Sequence, residues 1–342
     1  MVQLSVLDLV PVRIGQSSTQ ALAASIALAQ VADKAGYTRY WVGEHHNLPH
    51  IAATSPAAFV PIIASATEQI IVGSGGVMLP NHSPLSVAEQ FALIEAVFPG
   101  RIDLGIGRAP GGDHHTSFLL RGSRADEGVE NFPQWIDQVI AMMNPEGWQI
   151  PKVCVKATPQ ACSAPVVWLL GSSDYSARIA ALKGLPFAFA HHFTGRGAAE
   201  ALQIYRSLWN GDHAVAFDRP RDFITVNVVV GGDDEEAKRL ARPYQIVSYS
   251  MRTKRMKNPL LSVEEAQNYP ADPDELEALS SAWLIGGVEK VAEEIFELAD
   301  RYSLSEVMIH PVAGAYADES YGHIAARENT LTQLAQVVAS TD

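Results

Sequence analysis

The feature that most constrains the fold of this 342-residue chain is a regular alternation of short apolar runs with segments of helical period. Eight stretches read as β-strands: residues 4–10, 38–42, 70–75, 101–107, 166–170, 187–190, 224–230 and 306–310. Strands that alternate with helices form a parallel sheet, and eight such units close into a barrel more naturally than they make one open sheet. The length fits either two ordinary domains or one large barrel with insertions. The alternation favours the second, so the expectation is an α/β chain forming one (β/α)8 TIM-barrel domain over residues 1–342.

Between the strands, residues 19–35 place Leu22, Ile26 and Ala29 on one helical stripe, with Gly36 where a C-terminal cap belongs. Helices are also expected over residues 54–67, 85–98, 126–143, 174–183, 198–209, 233–254, 288–302 and 324–338. Pro56 is tolerated in the first turn of its helix. Residues 256–274 are polar, carry prolines and show no clear period. A loop of that length in a compact domain is expected to be a mobile lid.

Composition narrows the partners. Hydrophobic residues make up 47% of the chain, which supplies a core, and the formal charge is -13. That charge argues against nucleic acid and anionic membranes, because counterion release needs a basic face. Cys154 and Cys162 match no zinc or redox spacing and cannot form a disulfide framework, so a reducing cytoplasm is expected. There is no signal-peptide pattern, no span that would cross a bilayer, and no Gly-x-Gly-x-x-Gly after a strand to hold a nicotinamide.

In a (β/α) barrel, chemistry sits where the strands end. The informative residues fall there: Glu44, His45 and His46, then Gly75 and Gly76, Gly107 and Arg108, Ser172 and Ser173, and His191 and His192. Glycine admits close approach of a flat ligand, and a guanidinium suits phosphate. Residues 172–176 open a helix, whose first N–H groups are free to bind an anion. A flat ring over Gly75 and Gly76 with a phosphate near Arg108 is the picture these residues give.

Each signal has a plainer reading. His45 and His46 are adjacent on a strand and point to opposite faces, so at most one lines a pocket. Glu44 could orient His45 or pair with an arginine in the wall. Arg108 could bridge Asp103, Gly75-Gly76 could be a simple bulge, and the serines could be ordinary N-caps. Asp8, His191 and His310 are candidates for polar pocket positions, whereas His114 and His115 read as solvated loop residues. Three histidine doublets invite a metal, yet no His-x-His occurs, so no metal site is expected.

Four motifs in order carry a resemblance: RYWVGEHHN at residues 39–47, VGSGGVMLPNHSPL at 72–85, AEQFALIEAVFPGRIDLGIGRAPGGD at 88–113, and WLLGSSDYSARIAA at 168–181. Together they resemble the bacterial luciferase-like flavin-dependent monooxygenases. The resemblance implies an FMN-dependent oxidoreductase that acts on paired donors, a two-component monooxygenase using reduced FMN and O₂ on a small organic substrate. It also implies a separate NAD(P)H:flavin reductase as partner and a homodimer. By it, His45 and Glu44 are catalytic, with His45 handling protons near the ordinary histidine pKa of ~6.5. Gly75-Gly76 is the place of a non-prolyl cis peptide against the flavin ring. Arg108, Arg124, Ser172, Ser173 and Ser176 match positions at the phosphate. Gly107 departs from luciferase, which carries a reactive cysteine there. The alternatives are a deazaflavin-dependent hydride-transfer relative and a flavin-binding protein with little catalysis.

Overall fold

The structure, a computed structural model, describes residues 2–122, 127–214, 216–253 and 258–340. Its strands are β1 (Gln3–Asp8), β2 (Arg39–Val42), β3 (Ile71–Met78), β4 (Ile102–Gly107), β5 (Trp148–Ile150), β6 (Val153–Val155), β7 (Val166–Gly171), β8 (Phe187–Phe189), β9 (Asp222–Val230), β10 (Leu284–Gly286) and β11 (Glu306–Pro311). Parallel pairing runs through β1, β2, β3, β4, β7, β8, β9 and β11, and β11 returns to β1. The ring is the closed barrel of eight strands that the alternation implies.

Two strands outside the ring complete the picture. β10 pairs with Val228 to Val230 of β9, beyond the point where β8 stops at Ile224. β5 and β6 form a hairpin in the connector before β7, and Cys154 lies on it, exposed and free.

Alternation of side chains along each strand separates two cores. Outward residues pack against the helices in one large cluster that includes Val6, Val42, Val72, Leu104 and Ile309. Inward residues Leu7, Trp41, Trp168, Ala188, Phe223 and Met308 fill the barrel. Beneath them, at the strand beginnings, Arg39 donates to Asp103 at 2.6 Å and to Glu306 at 2.6 and 3.0 Å. The indoles of Trp41 and Trp168 also donate to Asp103, at 2.9 and 3.3 Å. A buried guanidinium is tolerable only when paired and hydrogen-bonded in this way. Arg39, and not Arg108, is therefore the partner of Asp103.

Asp8 is corrected as well. It points outward from β1, where Arg327 donates to it at 2.8 Å, Tyr40 at 2.6 Å, and Ser25 over a short contact. Burial opposes its charge, but Arg327 and the two hydroxyls hold its carboxyl below the ordinary value.

The helices begin where capping chemistry permits. Ser17 and Gln20 form a capping box on the helix Ser18–Lys34, and proline occupies the first turn of Pro56–Ala66, Pro84–Val97 and Phe132–Met143. The helix expected over 126–143 breaks at Asn131. The stretch expected to be an irregular lid is corrected too. Residues 256 and 257 lie outside the described residues, and beyond them are the short helices Val263–Gln267 and Pro273–Leu279, which bury Val263, Ala266 and Leu276. His114 and His115 are exposed, but they open the helix His114–Arg121 and do not sit in a loop. Among the described residues no helix is long and apolar enough to cross a membrane.

Candidate active site

The strand ends open on a cleft with about 930 Å³ of empty space, part of it continuous with solvent. Its floor is the top of the inner core, Leu7, Trp41 and Met308, and its walls are Gly75, Gly76, Gly107, Ala188 and Ala190. Small residues on one side of the barrel and bulky ones beneath leave a slot for a flat apolar group. The Gly75-Gly76 peptide is cis, and the register with β4 slips between Gly75 and Val77, so the cis and bulge readings are both correct.

The reason for glycine here differs from the one the sequence offered. A Cβ on Gly75 would stand 2.9 Å from Leu7 Cδ1, and one on Gly76 would stand 2.7 Å from the carbonyl oxygen of Gly105. The barrel's own packing excludes a side chain at these positions. Access for a ligand follows from that.

At one end of the slot the lining is Arg108, Ser172, Ser173 and Ser176. The half-buried guanidinium of Arg108 lies 4.0 Å over the ring of Tyr175, and it makes no ion pair with a described residue. Ser173 is the extended N-cap of the helix Asp174–Leu182, yet its hydroxyl accepts no cap hydrogen bond. Helix N–H donors, three hydroxyls and a stacked cation thus converge, which is the donor set a phosphate needs. Arg124 lies outside the described residues.

His45 lines the cleft and His46 does not. Nδ1 of His45 is buried without a partner among the described residues. Burial lowers its pKa to about 4, with the nearby charge of His46 in the same sense and Glu44 opposing. The expected near-ordinary histidine is therefore corrected to an imidazole that stays neutral near pH 7.

Among the described residues, Glu44 shows no hydrogen bond to the imidazole of His45 and its ion pairs are with His46 and His82. Its buried carboxylate accepts from the backbone N–H of Met78 at 2.9 Å, from Asn81 at 3.0 Å, and from His46 and His82 at 2.9 Å. Burial alone would raise its pKa, but these donors outweigh it and hold the carboxyl low. Glu44 shapes the mouth and lies outside the cleft lining, as do Asn81 and His82.

A second pocket, with about 1180 Å³ of empty space, adjoins the first and shares Leu9, His45, His192 and Phe193 with it. Of the doublet at the end of β8, His192 lines both pockets, whereas His191 packs toward Tyr302. His310 lines the second pocket, as expected. His50, Asn227, Tyr244 and Trp283 also line it and were not anticipated. A polar Asn227 inside the apolar run of β9 was the one available signal.

Comparison with known proteins follows the same lines. The family described as luciferase-like monooxygenase matches residues 2–303. The chain is 35% identical over 309 residues to the luciferase-like monooxygenase of Escherichia coli strain K12, covering 90% of each. Among solved structures it is similar to apo-MsnO8, with 30% identity, a TM-score of 0.88 and 99% of both chains covered. It is also similar to the oxygenating constituent of 3,6-diketocamphane monooxygenase from the CAM plasmid of Pseudomonas putida, solved in complex with FMN. There the TM-score is 0.73 over 99% of this chain and 98% of that one, and at 18% identity the likeness is one of fold.

Proposed function

The chain belongs to the luciferase-like monooxygenase family, and we propose that it is the FMN-dependent oxygenase of a two-component system, acting with O₂ on a small organic substrate. The observation that carries this reading is the meeting, in one cleft, of the slot at Gly75, Gly76 and Gly107 with Arg108 and the serine turn. The chemistry of the lining fits FMN. Arg108, Ser172, Ser173 and Ser176 would hold its phosphate, and the three glycines would border its ring.

When bound, reduced FMN supplies the electrons that activate O₂. The protein's own part is positioning and exclusion of water. Leu7, Trp41 and Met308 close the floor, which keeps water from beneath the reacting face. His45 stands where the two pockets meet and, being neutral, keeps one ring proton available for hydrogen bonding to the reacting groups. The second pocket would hold the substrate beside it. Reduced FMN would come from a separate NAD(P)H:flavin reductase in the cytoplasm. A homodimer is supported by Ile62, Leu93 and Val97, which are 49%, 53% and 61% exposed on two neighbouring helices.

The test is direct. FMN and reduced FMN are titrated into the protein, followed by turnover with NADH, a flavin reductase and ¹⁸O₂ against a panel of small substrates. One ¹⁸O atom in the product, found by mass spectrometry, is the expected result. Failure to bind either form of FMN would overturn the reading, and oxidised product without ¹⁸O would replace it with the hydride-transfer alternative.

A further inference from the structure

Resting on the first cleft as the cofactor site, we propose that the second pocket takes an apolar molecule bearing a hydroxyl or N–H group that donates to Nε2 of His310. The direction of a short hydrogen-bond chain requires it. The backbone carbonyl of His192 can only accept, and Asn227 Nδ2 donates to it at 3.0 Å. That turns Oδ1 of Asn227 to Nδ1 of His310, 2.9 Å away. Oδ1 is also an acceptor only, so Nδ1 of His310 carries the ring hydrogen.

His310 is 6% exposed. Burial lowers its pKa well below the ordinary value, and the charges of His192, Arg327 and His45 act in the same sense, with Asp8 opposing. The ring is neutral, and Nε2 holds a bare lone pair. No described residue donates to that atom. The hydroxyl of Tyr244, a residue 9% exposed, is also without a partner, and its ring meets that of His310 edge-on with centroids 6.3 Å apart.

A ligand hydroxyl satisfies both groups, donating to His310 and accepting from Tyr244. Around this polar point the lining carries apolar Leu9, Leu48, Ile51, Val247 and Trp283, with Ser248 and the exposed Arg252 also on it. Among the described lining residues there is no carboxylate to pair with a cation. A phenol or an indole-like N–H compound has the required chemistry. An ether or a hydrocarbon of the same shape leaves the His310 acceptor desolvated and unmatched.

The experiment compares 2-naphthol with 2-methoxynaphthalene, two probes that share a ring system and differ in the donor. Equilibrium dialysis with FMN present should give at least tenfold tighter binding of 2-naphthol. His310→Phe should erase the preference, and Tyr244→Phe should keep part of it. Equal binding of the two probes, binding of neither, or a preference that survives His310→Phe overturns the proposal. The first two comparisons use the unaltered protein and do not depend on a variant folding. FMN binding is read separately from quenching of its fluorescence. FMN that binds without a naphthol preference removes only this inference, whereas a preference without FMN binding supports it and removes the cofactor reading.

Discussion

The carboxylate of Glu44 accepts from the backbone N–H of Met78 at 2.9 Å and so ties the mouth of β2 to that of β3. The backbone N–H of His46 extends the tie to the loop after β4, donating to Gly111 at 2.7 Å. Around Glu44 every partner is a donor, including Asn81, His46 and His82. A buried acceptor that satisfies several donors is costly to delete, because each is left unpaired. Glu44→Ala is expected to lower stability by about 2–4 kcal/mol, measured by urea unfolding. A loss below about 0.5 kcal/mol would refute the structural role given to Glu44.

Arg108 is already placed over Tyr175 and pairs with no carboxylate among the described residues, so its charge is available to an anion. A phosphate contact in a half-buried site is worth about 1.5–3 kcal/mol. Arg108→Ala should weaken FMN binding by more than about tenfold, and Arg108→Lys should recover only part, since a point charge cannot reproduce the planar fork. Fluorescence titration decides it. An unchanged dissociation constant would remove Arg108 from the site.

Two glycines of β4 should behave in opposite ways. A Cβ on Gly105 would lie 2.1 Å from the backbone oxygen of Ser74, which cannot move without breaking the pairing of β3 with β4. At Gly107 the nearest atom is the Met78 sulfur at 3.1 Å, on a flexible side chain. Gly105→Ala is expected to cost about 3 kcal/mol or more, and Gly107→Ala about 1 kcal/mol or less. Thermal melts of the two variants side by side provide the check, and equal losses would contradict the packing described for β4.

The barrel was legible because each of its strands is a local apolar run, bounded by signals for helix starts and stops. β10 was not, since Leu284 to Gly286 is too short to show any period. The helices of five and seven residues after position 262 failed for the same reason. The cofactor cleft could be read because its residues come in contiguous motifs at strand ends. His310 and the polar Asn227 apart, the second pocket could not, because Tyr244 and Trp283 are unremarkable in the sequence and meet the others only in three dimensions. Adjacency also misled: Glu44 was set beside His45, but neighbouring side chains diverge, and its partner is His46 at two residues' distance. The lowered pKa of His45 depends on burial, which no local pattern reports.

Buried neutral histidines give the protein a pH dependence whose sign is fixed. Burial lowers His45 and His50 to about 4 and His192 to about 3, and it places His310 well below its ordinary value. In the unfolded chain the same groups titrate near ~6.5. Between about pH 6.5 and 5 the unfolded state therefore binds protons that the native state refuses, and stability must fall as pH falls. Each such histidine contributes up to about 1.4 kcal/mol per pH unit in that window. Asp8 and Glu44, whose carboxyls are held low in the fold, add their losses only as pH drops through about 4 and below. Urea midpoints at pH 7.5, 6.5 and 5.5 should thus fall over both intervals, by roughly three times as much over the second as over the first. His50→Asn should make the drop shallower by one histidine's share. A midpoint that holds constant or rises from pH 6.5 to 5.5 would mean that these imidazoles protonate within the fold, and that the neutral ring assigned to the pocket wall is wrong.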